Sequence, residues 1–229
     1  MADPKGATHI LSVPTRVHGT VLCREPLEKT GGAVPLLVGF HGYGENAERH
    51  LAELVRIPGT ESWRVAAVQA LHPFYTRTQE VVASWMTRFD REHAIEDNVA
   101  YVVAVVERLR DESPGSEEGV LVFAGFSQGV AMAYRAAARL GARGDRCQGV
   151  IALGGDVPPE ISDQDLAGLP PVLVGAGVGE SFYTPTKLNA DVARLRAAAV
   201  DTRPAPFAGG HEWTDEFRGI AGRFLAEVV

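Results

Sequence analysis

The chain is short of the residues that would signal several common chemistries. It has only two cysteines, Cys23 and Cys147, far apart and outside any metal-ligand or redox spacing. They read as thiols rather than a disulfide, which fits a reducing compartment. His-Glu-x-x-His is missing, and His211-Glu212 has no partner histidine at helical spacing, so neither a metal site nor a cofactor is expected. No Gly-x-x-x-x-Gly-Lys-Ser/Thr and no strand-borne Gly-x-Gly-x-x-Gly is present to cradle phosphates. Apolar runs stop well short of the roughly 20 residues that span a bilayer. The start, Met-Ala-Asp-Pro-Lys-Gly, lacks the apolar core of a signal peptide, and a cytoplasmic protein is expected. Positive charge is outnumbered, with 22 Lys and Arg against 29 Asp and Glu. A formal net charge of −7 argues against nucleic acid or an anionic membrane as the main partner. Internal repeats and low-complexity stretches are absent.

What is there is ordinary soluble α/β material: 229 residues, 45% hydrophobic and 22% charged, expected to form one domain over 1–229. Strand-like runs at 9–13 and 17–24 flank Pro14 and are expected to pair antiparallel at a sheet edge. The run 34–40 is apolar on both faces, as a central parallel strand would be. A helix follows through Ala47, Leu51, Leu54 and Val55, then a strand at 63–70. The segment 72–89 is aromatic and weakly periodic. Phe74, Tyr75, Trp85, Met86 and Phe89 either line a pocket there or cover the core. Residues 94–110 carry one apolar face, a clear helix stopped at 111–115. Further strands are expected at 149–153, 171–174 and 202–207, with helices through Leu188 to Leu195 and from Trp213 to Val228. This alternation calls for an α/β fold with a mostly parallel central sheet and helices on both faces.

The stretch 120–141 organises the rest. A short apolar run, 120–124, ends in Gly125-Phe126-Ser127-Gln128-Gly129. An Ala-rich helix over 130–140 follows, with Gly141 placed where a C-terminal cap glycine belongs. Strand, G-x-S-x-G, helix forces a sharp reversal at Ser127 and aims its hydroxyl away from the strand end. The Gln128 N–H at the helix start is then free to bind an oxyanion. In the loop His41-Gly42-Tyr43-Gly44-Glu45-Asn46 the Tyr43 N–H is the second candidate donor, and His41 shapes the loop.

A serine hydroxyl needs a base, and the base an orienting acid. His211 is the candidate base, in a strand-end loop after two glycines and before a helix. The acid belongs between Ser127 and His211 in the chain. Glu180, in the glycine-rich loop after the 171–174 strand, fits that place, with Asp156 one strand earlier as the alternative. Asp191 reads as a solvated helix-face partner of Lys187 and Arg194.

With these residues in place, the chain resembles the α/β-hydrolase superfamily. More narrowly it is similar to the phospholipase/carboxylesterase family that includes acyl-protein thioesterases. The resemblance covers roughly 34–229 and rests on His41-Gly42-Tyr43-Gly44, Gly125-Phe126-Ser127-Gln128-Gly129, the 175–183 loop and Gly209-Gly210-His211-Glu212-Trp213. It implies a metal-independent serine hydrolase acting on small-molecule esters or thioesters. Ser127 would be its nucleophile, His211 its base, and Tyr43 and Gln128 its oxyanion donors. The family's acid is normally an aspartate, where this chain has Glu180, one methylene longer. Trp85, Phe182 and Tyr183 are expected against the substrate, in an apolar pocket. A non-catalytic binding module on the same scaffold, and an acyltransferase sharing the acyl-serine, are the alternatives.

Overall fold

The structure, a computed structural model, describes residues 9–28, 32–112 and 119–229. Seven strands among them form one sheet. In chain order these are β1 (Val21–Arg24), β2 (Leu36–Phe40), β3 (Arg64–Val68), β6 (Leu121–Phe126), β7 (Gly149–Leu153), β8 (Val172–Gly177) and β9 (Thr202–Phe207). Their spatial order is β1-β3-β2-β6-β7-β8-β9. All neighbours run parallel except β1, which is antiparallel to β3. A separate hairpin, β4 (His72–Tyr75) with β5 (Val81–Ser84), fills part of the aromatic segment.

The inner strands are apolar on both faces because both faces are covered. Alternate residues part cleanly. Leu36, Val38 and Phe40 of β2 join Leu121 and Phe123 of β6 in one core, and Leu37 joins Val122, Ala124 and Phe126 in the other. The first core is closed by α2 (Arg91–Asp111), α3 (Gln128–Ala142), the short α4 (Asp163–Ala167) and α5 (Pro185–Ala197). The second lies under α1 (Ala47–Leu54) and α6 (Asp215–Val228). No helix of the described residues is long and apolar enough to cross a membrane. Cys23 and Cys147 are both free thiols.

Three sequence expectations change. Residues 9–20 form no strand and lie exposed, and the edge strand starts at Val21. Its partner is β3 rather than the 9–13 run, since β3 offers an open edge and Pro14 has no ladder N–H to give. Gly141 sits inside α3, and the left-handed residue beyond the helix is Gly144, at φ 78°. Helix α2 starts a turn early, at Arg91 after Asp90. The expected loop at 25–32, the helix stop at 111–115 and the terminus 1–6 fall partly or wholly outside the described residues.

Register places the chemistry. Phe40 of β2 pairs with Gly125 of β6, and Phe126 with Leu153 of β7. The loops leaving β2, β6, β8 and β9 therefore gather at the C-terminal edge of the sheet, where open α/β sheets form their binding crevice.

Candidate active site

Ser127 turns the chain from β6 into α3 at φ 53° and ψ −118°, a region that side chains disfavour. Neighbours without Cβ atoms make the turn feasible. A Cβ on Gly125 would lie 2.5 Å from the Gly129 carbonyl oxygen, and one on Gly129 only 2.0 Å from that of Phe40. The Ser127 N–H donates to the Leu153 carbonyl at 2.9 Å, which ties the turn to β7.

The loops after β8 and β9 touch through backbone. A Cβ on Gly177 would stand 2.4 Å from the Gly210 carbonyl oxygen, and the Gly179 N–H donates to Gly209 at 2.8 Å. This contact sets Glu180 against His211. The imidazole Nδ1 is 2.5 Å from Glu180 Oε2, and Nε2 is 2.8 Å from Ser127 Oγ. Phe126 and Phe182 pack against the ring at tilts of 36° and 52°, with centroids at 4.8 and 5.2 Å.

Glu180 is 6% exposed. Burial pushes its carboxyl upward. The Phe182 N–H, donated to Oε1 at 2.7 Å, and the imidazole on Oε2 outweigh that and hold it below its ordinary value. An ionised Glu180 draws the imidazole proton to Nδ1 and leaves Nε2 as the acceptor for the serine O–H. Asp156 is more than half exposed and pairs with Lys187, so of the two candidate acids Glu180 is the one that meets the histidine.

The loop after β2 is fastened at nearly every residue. Its His41 is fully buried and burial lowers its pKa, so it stays neutral. Nε2 accepts from the Ala70 N–H at 3.1 Å, which leaves Nδ1–H to donate to the Gly42 carbonyl at 2.7 Å. The Gly42 N–H donates to Glu45 Oε2 at 2.7 Å, and the Gly44 N–H to Ala83 at 3.0 Å. Tyr43 N–H is left without an acceptor among the described residues, while the Tyr43 ring stacks on Phe74 at 5.5 Å. Gln128, first residue of α3, likewise has no intrahelical partner for its N–H.

The Gln128 side chain was not anticipated as a clamp. Its Oε1 accepts from the Trp85 N–H at 2.9 Å and its Nε2 donates to the Met86 carbonyl at 2.9 Å, which fixes the chain after β5. Glu45 was missed as well, although its bond to the Gly42 N–H has the i,i+3 spacing of a glutamate reaching back to a backbone N–H. The Gln128 bonds span more than forty residues and follow no local rule.

The expected substrate contacts divide. Phe182 is 70% exposed and lines a cavity beside Ser127. Trp85 does not reach a substrate. It is fully buried against Phe40, and its indole N–H donates to the His41 carbonyl at 2.8 Å, where it supports the loop from below. Tyr183 forms part of the cavity wall but is 1% exposed, with its hydroxyl given to Asp191 Oδ2 at 2.9 Å. Asp191 in turn is no solvated ion partner. It also accepts the Val157 N–H at 2.9 Å, and burial raises its carboxyl. The cavity itself is charged where an apolar pocket was expected: Arg91, Arg135, Asp156 and Lys187 all line it.

No protein-family model matches the chain, and no curated protein sequence does. Solved structures match along most of its length. Esterase PE8 covers 93% of this chain and 100% of its own at 21% identity, with a TM-score of 0.72. Acyl-protein thioesterase 2 of Zea mays covers 92% of this chain and 99% of its own at 17% identity, TM-score 0.67. A phospholipase/carboxylesterase of Dyadobacter fermentans covers 91% and 97% at 19% identity, TM-score 0.65. Together with the mostly parallel sheet and its two helical layers, these likenesses give the chain the α/β-hydrolase fold.

Proposed function

We propose that the protein is a serine hydrolase that cleaves carboxylic esters, and thioesters by the same route, through an acyl-Ser127 intermediate. The observation that carries this reading is the unbroken relay Ser127 Oγ, His211 Nε2, His211 Nδ1, Glu180 Oε2, at 2.8 and 2.5 Å. The names of the structural neighbours, esterases and a thioesterase among them, support it.

On this reading catalysis runs in two stages. His211 takes the Ser127 proton as the hydroxyl attacks the acyl carbon. Glu180 steadies the imidazolium that results. The Tyr43 and Gln128 N–H groups stabilise the oxyanion. His211 then protonates the leaving oxygen or sulfur, and water activated by the same ring releases the acid. A non-catalytic module would have no need of a strained serine with an aligned base and acid. The unpaired thiols fit a reducing compartment, and we place the enzyme in the cytoplasm on that ground.

Release of 4-nitrophenol from short-chain 4-nitrophenyl esters, and of thiol from an acyl thioester, tests the reading on purified wild type and Ser127→Ala. Turnover by wild type and none by the variant is the expected result. Near-wild-type turnover by a folded Ser127→Ala would remove Ser127 as nucleophile.

A further inference from the structure

The cavity beside Ser127 has a volume of about 390 Å³, and its wall carries Arg91 from α2, Arg135 from α3 and Lys187 from α5. Asp156 is the one carboxylate among the lining residues.

Arg135 is the informative side chain. It is only 5% exposed. Its Nε and Nη2 both point at one oxygen, Oε1 of Glu160, the former at 2.8 Å. Arg91 reaches the other oxygen of the same carboxylate at 3.6 Å, so a single anion serves two guanidinium groups. Arg135 Nη1 is left with the thioether sulfurs of Met86 and Met132, at 3.8 and 4.0 Å. Thioethers are weak acceptors, and a buried guanidinium with an unfilled fork is unfavourable. Burial accordingly draws the Arg135 pKa below its ordinary value. Lys187 is held by Asp156 only loosely, at 3.4 Å. Asp191, behind the wall, is taken up by the Val157 N–H and the Tyr183 hydroxyl. Among the described residues the three cations Arg91, Arg135 and Lys187 thus share two ion-pair partners, Asp156 and Glu160. The chain as a whole has a net charge of −7, so this excess is local.

The side of the ester that enters is set by His211. As the acid for the leaving oxygen, it draws the alcohol to its own side. There it lines a separate groove with Glu45, Phe126 and Trp213. Ser127 and Gln128 line the cationic cavity, which leaves that cavity to the acyl part.

We infer that the cavity takes an acyl group ending in a carboxylate, which accepts from Arg135 Nη1 and is drawn in by Arg91 and Lys187, so that the preferred substrate is a half-ester of a dicarboxylic acid. This rests on the ester-cleaving reading of Ser127 and goes beyond it to the substrate's chemical class.

The test measures kcat/KM by pH-stat for monomethyl succinate, glutarate, adipate and suberate, each beside the dimethyl ester of the same diacid as its neutral partner. Methanol is the leaving group throughout, so only the acyl end varies. At least one half-ester exceeds its neutral partner, by about tenfold or more, the contribution of one charge-assisted hydrogen bond. In Arg135→Met the ratio of monomethyl to dimethyl ester for that preferred diacid falls by about that factor. A merely structural role would lower both esters alike and leave the ratio standing. Should Arg135→Met fail to fold, Arg91→Gln and Lys187→Glu decide the matter. Each lowers the same ratio several-fold, more at low than at high salt. Neutral esters cleaved as well as half-esters, with the ratio unmoved in every folded variant, would overturn the inference while leaving the esterase reading intact. Failure to cleave any ester, with no covalent labelling of Ser127, would instead bring down the esterase reading and the inference with it.

Discussion

Ser127, Glu180 and His211 are positioned by backbone, whereas Arg91, Arg135 and Lys187 are positioned by their own long side chains. The first set stands on turns after β6, β8 and β9, where Gly125, Gly129 and Gly177 bring main chains within van der Waals distance of one another. The second set reaches toward the cavity from three helices and is held by ion pairs to Glu160 and Asp156. The difference separates two properties that share one crevice. On the proposed reading, bond cleavage rests on three side chains whose placement the backbone fixes. Choice of acyl group, as inferred for the cationic cavity, would depend on side chains that can be exchanged one at a time. Substitutions in the first region should therefore act on every substrate alike, and substitutions in the second on the ratio between substrates.

The largest expected effect is loss of the proposed nucleophile or base. Ser127→Ala or His211→Ala should lower kcat on the order of 10⁶-fold, equally for charged and neutral esters. Steady-state rates on both ester classes would show it, and a loss confined to one class would break the division. Next comes Glu180→Gln, which keeps the shape but favours the wrong imidazole tautomer. A fall of about 10⁴-fold in kcat is expected. Glu180→Asp should recover part of that, since it restores the charge one methylene short. Equal activity of the Gln and Asp variants would contradict the tautomer role.

Gly129→Ala tests the backbone support without touching a reacting group. Its methyl would stand 2.0 Å from the Phe40 carbonyl oxygen, so β2 and α3 must part. Destabilisation on the order of 1–3 kcal/mol is expected, with about 10²-fold lower kcat as the Ser127 turn shifts. Denaturant midpoints and rates together check it; wild-type stability would show that the close approach is not needed.

A smaller effect concerns acid stability. The folded Glu180 carboxyl lies below its ordinary 4.5. Its contribution is therefore complete above that pH and is lost as the pH falls through the lower folded value. Denaturant unfolding from neutral pH down to about 3 should show wild type losing more stability below 4.5 than Glu180→Gln. Parallel curves would mean that the carboxylate gains nothing from its two donors.

The parts legible in the sequence are those decided by local chemistry. Gly125-Phe126-Ser127-Gln128-Gly129 between an apolar run and an Ala-rich segment dictates its own turn, because only glycine tolerates the approach on either side of Ser127. Chain order and a strand-end loop narrow the acid to Glu180 or Asp156, and only the folded loops bring Glu180 to His211. What stayed hidden depends on which elements meet. Trp85 looked like a pocket residue because aromatic content does not reveal burial against Phe40. Asp191 looked solvated from its i,i+4 neighbours, yet the chain brings Val157 and Tyr183 to it from outside the helix. The charge of the cavity was hidden for the same reason. Arg91, Arg135 and Lys187 are scattered over some hundred residues and share a wall only after three helices pack on one sheet.

The most direct test of the central claim is the intact mass of the purified protein after exposure to a fluorophosphonate, followed by peptide mapping. The account predicts one adduct per wild-type chain, located on Ser127, and none on Ser127→Ala. An adduct that persists in Ser127→Ala, or a folded wild type that stays unlabelled, would contradict it.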